Sequence, residues 1–317
     1  MLAAICRDVG ERIEVTVATI ALMSDIHGNL PALEAVAADL ARSQPDAVYV
    51  AGDMVNGAPW SADVLDRIAD AGWQMLVGNH DDAVMQLGTP RMERRYGVRD
   101  RYGALWWTRT HLASRHMALL ESLPGDLLVA IPGLPAIRIV HGVPGNFLLG
   151  FMPDAPEAWY LRHLASVAEP VVAAGHTHQP VVRGVGRWRV VNPGSVGAPY
   201  DRDPRPAYAI LRGGASGWRV EIRRVSYDLE AVDRGFRESG LLQEGGVMAR
   251  LFHRSVMSGE PWVADFLWWM RNEPEQALRD IDAALVRYDA MHGPGHWAFP
   301  HATHVHAGDL PPAAAGS

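Results

Sequence analysis

The stretch GDMVNGAP, residues 52–59, follows directly on the apolar run AVYVA, residues 47–51. The run is typical of a strand buried on both faces. An ionised Asp at the end of such a strand costs free energy unless opposite charges compensate it. Asp53 therefore predicts that other parts of the chain supply groups that require a carboxylate at this position.

Similar apolar runs recur along the chain. They are ATIALM (18–23), QMLVG (74–78), IRIVH (137–141) and VVAAG (171–175). Between the first runs lie two helical patterns. Residues 30–43 carry apolar side chains on one stripe, and residues 61–72 begin at Ser61, a predicted N-cap. This alternation of strand and helix predicts βαβ units in a layered α/β sheet.

The second half of the chain changes character. Short strand patterns separated by Gly or Pro turns predict antiparallel hairpins, and hence a mixed or two-sheet core. They are VVRGV (181–185), WRVVN (188–192), AYAIL (207–211) and WRVEIRRV (218–225). Residues 82–122 and 228 to about 290 have helical patterns instead. The predicted organisation is an N-terminal extension (1–17), a main domain (18–227) with a helical insertion (82–122), and a helical extension with a His-, Pro- and Ala-rich tail (228–317).

Composition excludes several classes of protein. The 317 residues are 48% hydrophobic and 21% charged, which is typical of a globular chain. A net charge of −7 gives no electrostatic footprint for nucleic acid. The single Cys6 allows no internal disulfide and favours a cytoplasmic setting. Residues 15–23 are interpreted as the start of the first strand and not as a signal peptide, and no apolar run is long enough to span a membrane.

Five of the apolar runs are followed by polar side chains beside a glycine. These residues are Asp25 and His27 in SDIHGN, Asp53 in GD, Asn79, His80 and Asp81 in GNHD, His141 in HG, and His176 and His178 in GHTH. Strand ends that point the same way form one rim of an α/β sheet, where ligands usually bind. The clusters are therefore expected to meet in one site.

The chemistry of this set indicates metal binding. With His80 and Asp81 left aside, it offers two Asp, one Asn and four His, which are N and O donors suited to Mn, Fe or Zn. These seven ligands are too many for one ion but suit two ions that share a carboxylate. Two cations would compensate the charge of Asp53, and Asp53 would hold them together.

The ordered motifs D-x-H, G-D, G-N-H-D, H and G-H-x-H resemble those of the calcineurin-like metallophosphoesterase superfamily over roughly residues 18–227. The stretches GDMVNGAP, LVGNHDD and VVNPGSVGAP are most similar to its small bacterial phosphoesterase branch. The resemblance implies a layered α/β/β/α fold, with two mixed sheets flanked by helices. The helical insertion and the C-terminal helical extension would be additions to that fold.

The resemblance also implies a role for each residue. One metal would be held by Asp25, His27, Asp53 and His178. The other would be held by Asp53, Asn79, His141 and His176. His80 would not be a ligand, but would face the phosphate as general acid or charge stabiliser. The ions would be divalent, with Mn favoured over Fe, Zn, Ni or Mg.

The sequence differs at three positions from the motifs of the phosphoprotein phosphatase branch. That branch has G-D-x-x-D-R-G and then G-N-H-E. Here Asn56 stands in place of the second Asp, Gly57 in place of the phosphate-binding Arg, and Asp81 in place of the Glu. His80 thereby loses the carboxylate partner found in that branch. This difference argues against a protein phosphatase.

The predicted function is a dinuclear metal-dependent phosphoesterase. It would hydrolyse a small phosphodiester or nucleotide-type phosphate ester with a metal-bridging hydroxide. Within the same superfamily, a phosphomonoesterase, a protein phosphatase and a dinucleoside polyphosphate hydrolase remain alternatives. A non-enzymatic scaffold is a further alternative, as in the retromer subunit of this fold, which has lost the catalytic His. His80 and every candidate ligand are kept here, which favours the enzyme.

Three further groups of residues leave two interpretations each. The insertion begins just after Asp81, so we expect it to cover part of the site, although its arginines could instead form a solvated helix face. Those arginines are Arg91, Arg94, Arg95, Arg99 and Arg109. Four tryptophans could line a pocket but are expected to pack helices onto the core instead. They are Trp106, Trp107, Trp268 and Trp269. Five histidines of the tail could bind metal but are expected to be solvated. They are His292, His296, His301, His304 and His306.

Overall fold

The computed structural model describes residues 17–274 and 279–291. The strands in this part of the chain are β1 (Ala18–Met23), β2 (Ala47–Val50), β3 (Gln74–Met75), β4 (Asp126–Val129), β5 (Ile137–Val140), β6 (Val171–Ala173), β7 (Pro180–Val185), β8 (Trp188–Pro193), β9 (Ala207–Gly214) and β10 (Gly217–Arg224). The α-helices are α1 (Leu30–Ser43), α2 (Ser61–Asp70), α3 (Asn79–Gln86), α4 (Arg99–Thr110), α5 (Ser114–Glu121), α6 (Glu157–Leu164), α7 (Leu229–Glu238), α8 (Leu241–Glu244), α9 (Gly246–Ser258), α10 (Trp262–Met270) and α11 (Ile281–Met291).

The strands form two five-stranded mixed sheets. The first has the order β10-β9-β1-β2-β3, and the second has the order β4-β5-β6-β8-β7. Strands β1, β2 and β3 are parallel, as are β5, β6 and β8, while the remaining pairs are antiparallel. In the first sheet Met23 pairs with Val50. The loops that carry Asp25 and Asp53 therefore leave adjacent strand ends on the same rim.

Three apolar layers hold the sheets and helices together. Leu22, Ile139 and Val191 belong to the layer between the two sheets. The outer face of the first sheet packs against α1 and α2, and the outer face of the second packs against α6. These layers confirm the predicted α/β/β/α fold with two mixed sheets flanked by helices.

The predicted helical insertion and C-terminal extension are also present. Helices α3, α4 and α5, with a short 3-10 helix at Arg94–Gly97, follow β3. Helices α7 to α11 follow β10 and enclose an apolar cluster of their own, in which Trp107 of α4 and Trp269 of α10 are buried. Both tryptophans therefore pack helices, as expected. Among the described residues, no helix is long and apolar enough to cross a membrane.

Some local predictions were wrong or incomplete. Ser61 is not an N-cap but the first residue of α2, because its hydroxyl accepts the N–H of Asn56 at 3.1 Å. Strand β4 and helix α6 were missed because neither shows a long apolar run: β4 buries only Val129, and α6 buries only Tyr160 and Leu164. The tail histidines lie outside the described residues, as does all but the last residue of the predicted N-terminal extension.

Candidate metal centre

The structure brings all eight predicted site residues to one rim. Asp25 and His27 follow β1, Asp53 follows β2, Asn79 and His80 begin α3, His141 follows β5, and His176 and His178 follow β6. Backbone hydrogen bonds tie these loops to one another. The Asp25 N–H donates to the Gly52 carbonyl at 3.0 Å, and the His27 N–H donates to the Asp53 carbonyl at 2.9 Å. The second sheet joins through the His176 N–H, which donates to Asp25 Oδ2 at 3.0 Å.

Two glycines allow the loops to approach this closely. A Cβ at Gly78 would lie 2.2 Å from Asp53 Oδ1, and a Cβ at Gly175 would lie 1.9 Å from Ser24 Oγ. Two atoms that are not bonded to each other cannot come this close, so any larger residue would push the Asp53 loop or the Asp25 loop outward. The glycines in GNHD and GHTH therefore set the spacing of the site.

The backbone of the site is strained. Six non-glycine residues of the rim have a positive φ, namely Asp25 (56°), His27 (49°), Asp53 (54°), Asn56 (64°), His176 (69°) and His178 (57°). This conformation costs on the order of 1–3 kcal/mol for a residue with a side chain, and such residues cluster at functional sites. Here the bend lets alternate residues of D-x-H and H-x-H reach the same centre.

Candidate ligand atoms form a first cluster at Asp25, His27 and His178. These atoms all lie within 4.8 Å of one another. His178 Nε2 is 3.4 Å from Asp25 Oδ1, and the Nε2 atoms of His27 and His178 are 3.1 Å apart.

A second cluster is formed by Asp53, His141 and His176. The Asn79 Oδ1 atom lies between the two rings, 2.9 Å from His141 Nε2 and 2.8 Å from His176 Nδ1. Asp53 Oδ2 is 3.2 Å from His141 Nε2 and 3.8 Å from His27 Nε2. Asp53 therefore faces both clusters.

His80 also lies close enough to be considered as a ligand. With His27 and Asp53 it forms a third group whose candidate atoms lie within 4.8 Å of one another. Its backbone N–H donates to Asp53 Oδ1 at 2.7 Å.

The hydrogen bonds of the imidazole rings show that the first cluster suits a cation. His27 Nδ1 is 2.8 Å from the Asn56 carbonyl, and His178 Nδ1 is 2.5 Å from the Ala198 carbonyl. A carbonyl only accepts, so both Nδ1 atoms carry hydrogen, and in the neutral rings both Nε2 atoms present lone pairs. These lone pairs face each other at 3.1 Å and cannot form a hydrogen bond. A divalent cation between them removes this repulsion, and carbonyl-bound histidines are the usual metal ligands.

The electrostatics of the histidines agree with this arrangement. Burial lowers the pKa of His27, lowers that of His178 well below its usual value, and lowers that of His176 to about 4. All three rings are therefore neutral at pH 7, as metal ligation requires. His141 differs. Burial acts to lower its pKa, but the charges of Asp53 and Asp25 raise it to about 10, so this ring must lose a proton to bind a metal.

The two carboxyl groups respond differently to burial. Burial acts to raise the pKa of Asp53, but the neighbouring His141, His80 and His27 hold it well below its usual value. For Asp25, burial raises the pKa to about 7, and the charge of Asp53 adds to this shift. A nearby cation favours the ionised form of both groups. A cation at the centre of the rim would therefore stabilise both carboxylates in their ionised form.

Asn56 provides His80 with a partner that the sequence did not predict. Its Nδ2 lies 2.6 Å from His80 Nδ1, so the amide replaces the carboxylate of the phosphoprotein phosphatase pattern. The amide N–H donates to Nδ1, which leaves the ring hydrogen on Nε2. Burial lowers the pKa of His80 to about 3, so the ring is neutral. The rings of His80 and Phe252 of α9 form a T-shaped pair, with 5.7 Å between their centroids.

Asp81 was assigned no role from the sequence, yet it holds the loops of the site together. Its carboxylate accepts four backbone N–H groups, from Asp53 (2.8 Å), Met54 (3.0 Å), Val55 (3.2 Å) and Gly78 (2.9 Å). Burial and the charge of Asp53 raise its pKa to about 7, and the N–H donors oppose this shift. Its place in the first turn of α3 is a capping signal that could have identified it.

A cavity of about 720 Å³ opens onto the rim. Besides site residues, it is lined by the segment 148–156, by α6 and by α10. No residue of 82–122 lines it, so the expectation that the insertion covers the site was wrong. The insertion begins beside His80, but α3 then packs into the outer layer of the first sheet. Trp268 does line the cavity, unlike Trp106, Trp107 and Trp269.

Comparison with known families agrees with this geometry. Residues 19–213 match the calcineurin-like phosphoesterase superfamily domain. The chain belongs to this superfamily. Its members generally use divalent metal ions, and the ligand clusters described above lie within the matched region. The chain is accordingly a metal-dependent phosphoric ester hydrolase by family.

Individual relatives of this phosphoesterase are distant. It is 27% identical over 232 residues to the uncharacterized protein MJ0912 of Methanocaldococcus jannaschii, covering 67% of this chain and 88% of the relative. A metallophosphoesterase from Sphaerobacter thermophilus is 27% identical with a TM-score of 0.60, over 77% of this chain and all of the other. The hypothetical protein PH1004 of Pyrococcus horikoshii is 21% identical with a TM-score of 0.65, over 76% and 98%, and shows the shared fold.

Proposed function

We propose that the protein is a dinuclear metal-dependent phosphoesterase that hydrolyses a phosphodiester or a nucleotide-type phosphate ester. One observation carries the proposal: the buried Asp53 Oδ2 lies between the two clusters of ligand atoms, 3.2 Å from His141 Nε2 of the second and 3.8 Å from His27 Nε2 of the first. A carboxylate placed between two ligand clusters can serve two cations, whereas a site for one ion would need only one of these clusters.

The ligand sets proposed for the two ions share Asp53. The first consists of Asp25, His27, Asp53 and His178. The second consists of Asp53, Asn79, His141 and His176. These nitrogen and oxygen donors suit Mn best among the candidate ions, with Fe, Zn, Ni or Mg as alternatives. When bound, the two ions supply an activated water and a clamp for phosphate oxygens.

His80 acts on the leaving group in this proposal. Its Nδ1 is occupied by Asn56 at 2.6 Å, which directs the Nε2–H toward the substrate. From there the neutral ring donates a hydrogen bond that stabilises the negative charge on the leaving oxygen as the phosphorus–oxygen bond breaks. Because His80 is held by Asn56 and by the backbone contact to Asp53, it is oriented before the substrate arrives.

An activity screen tests the proposal. Purified protein with added Mn²⁺ is assayed on phosphate monoesters, diesters, cyclic phosphates and dinucleoside polyphosphates, including bis-p-nitrophenyl phosphate. We expect metal-dependent turnover of a diester or nucleotide. Preference for monoesters would move the protein to the phosphomonoesterases. No turnover with Mn²⁺ or any other divalent ion would support the scaffold alternative.

A further inference from the structure

Helix α10, with the sequence WVADFLWWM, is apolar around most of its circumference. Its buried face packs into the cluster of the C-terminal helices through Phe266, Trp269 and Met270. Its other apolar face lines the cavity through Val263, Ala264, Leu267 and Trp268. A helix that is hydrophobic all round is normally buried on all sides. The cavity-facing side of α10 therefore suits an apolar occupant.

Across the cavity, α6 and the segment before it present a second apolar wall. Leu149, Met152, Ala158 and Trp159 line the cavity from this side. The indole N–H of Trp159 donates to the Gly150 carbonyl at 3.2 Å, which holds the ring in place. Both walls thus carry a tryptophan ring: Trp159 of α6, whose ring centroid is 4.2 Å from that of His163, and Trp268 of α10, whose ring centroid is 5.1 Å from the Arg271 guanidinium.

The same cavity reaches the candidate metal centre. Asp53, His80 and His178 line it together with the two walls. Its volume of about 720 Å³ is within the usual range for sites that take a drug-sized molecule, and a phosphate group would fill only a small part of it. A ligand with its phosphate at the rim would place its organic group between α6 and α10.

We propose that α6 and α10 form a binding site for the nucleobase of a nucleotide-type ester. This inference rests on the proposed function and names the substrate class. An apolar wall leaves the hydroxyls of a sugar phosphate without partners, which costs free energy, whereas an aromatic base can stack on tryptophan. Arg162 and Arg271 also line the cavity and add positive charge suited to an anionic ester.

Binding of adenosine tests the nucleobase site without requiring any activity. Adenosine and ribose are titrated into the full-length protein by calorimetry. We expect adenosine to bind and ribose to bind at least about tenfold more weakly, since stacking on a Trp ring contributes this much. Equal binding of the two, or no binding of adenosine, would overturn the proposal.

Variants locate the binding site. Trp268→Ala should weaken adenosine binding about tenfold. Ala264→Phe should weaken it by filling the cavity, in case the first variant fails to fold. Trp73→Ala is the matched control, because Trp73 is half-buried elsewhere and does not line the cavity. An adenosine affinity that falls equally in the control, or in none of the variants, would contradict the assignment.

Hydrolysis separates this inference from the proposed function. Thymidine 5′-(p-nitrophenyl phosphate) and methyl p-nitrophenyl phosphate are both diesters with the same leaving group, and only the first carries a base. The inference expects a higher kcat/KM for the thymidine ester, and a smaller preference in Trp268→Ala. Equal turnover of both would refute the nucleobase site while leaving the phosphoesterase intact. Binding of adenosine without turnover of either ester would do the reverse.

Discussion

Asp53 faces both ligand clusters, so its replacement should weaken the binding of both proposed ions. Asp53→Asn keeps the shape of the side chain and an oxygen for the His80 N–H, but removes the charge. We expect metal content and activity to fall together, and thermal stability in Mn²⁺ to fall as well, because bound metal stabilises the native state. Asp126→Asn, at an exposed carboxylate on β4, is the control. Full metal content in Asp53→Asn would contradict the shared position.

Replacement of His80 should have a different effect from replacement of Asp53, because His80 is proposed to contact the leaving group and neither ion. His80→Ala should keep its fold and metal content but lose about 10²–10³ in kcat, the usual contribution of a hydrogen-bond donor to developing negative charge. The loss should shrink for p-nitrophenyl esters, whose leaving oxygen carries less negative charge. A variant that lacks one metal would make His80 a ligand. Equal losses for good and poor leaving groups would point to phosphate stabilisation instead.

Asn56 is expected to act through His80. Asn56→Gly removes the amide at 2.6 Å from His80 Nδ1 and suits the positive φ of 64° at this position. Losing such a supporting contact should cost about 10- to 100-fold in kcat with unchanged metal content. In the His80→Ala background the same change should cost little more. Multiplicative losses in the double variant would show that Asn56 works independently of His80.

At the residue level, the motif letters predicted which side chains the structure brings together at the rim. Asp25, His27 and His178 could be predicted because each follows an apolar run beside a glycine. The role of Asn56 could not, because nothing in its local sequence points to His80, and Asp81 gave only a capping signal in the first turn of α3. The contact of Asn56 with His80 joins residues 24 positions apart.

Among the elements, the loop after β2 and the start of α3 depend on one another through Asp81. Asp81→Asn should leave buried N–H donors without an acceptor, at a cost of about 2–4 kcal/mol in the free energy of unfolding. Urea denaturation measures this cost. Asp82→Asn is a close control, since the polar partners of the Asp82 carboxylate within the described part of the chain are two side chains of its own segment, Gln86 and Arg91. Similar midpoints for the two variants would show that the hydrogen bonds to Asp81 contribute little.

The apolar pattern of the sequence was sufficient for elements that are buried and insufficient for those that are mostly exposed. Helix α1 has the predicted bounds because its apolar stripe spans 14 residues. Strand β4 has only Val129 buried and left no clear apolar run. It was harder to predict which side of the molecule a helical segment packs against. Residues 82–122 start beside His80 but pack away from the cavity, whereas α10 lines the cavity although it begins 182 residues after His80.

On the scale of the whole molecule, the C-terminal helices take part in the site. Phe252 of α9 lies 5.4 Å from the His27 ring and 5.7 Å from the His80 ring, measured between centroids. Helix α10 adds a wall of the cavity. The sequence predicted these helices but not their place, since an apolar helix face has the same pattern whether it meets a core or a ligand. The matched family domain ends at residue 213, before these helices begin.

The central claim is that two ions bind between the clusters joined by Asp53, and metal stoichiometry tests it most directly. Protein stripped with a chelator is reloaded with Mn²⁺, freed of unbound ions by gel filtration, and subjected to elemental analysis. The ligand clusters predict two ions per chain. A stoichiometry of one or less after reloading would contradict the dinuclear centre.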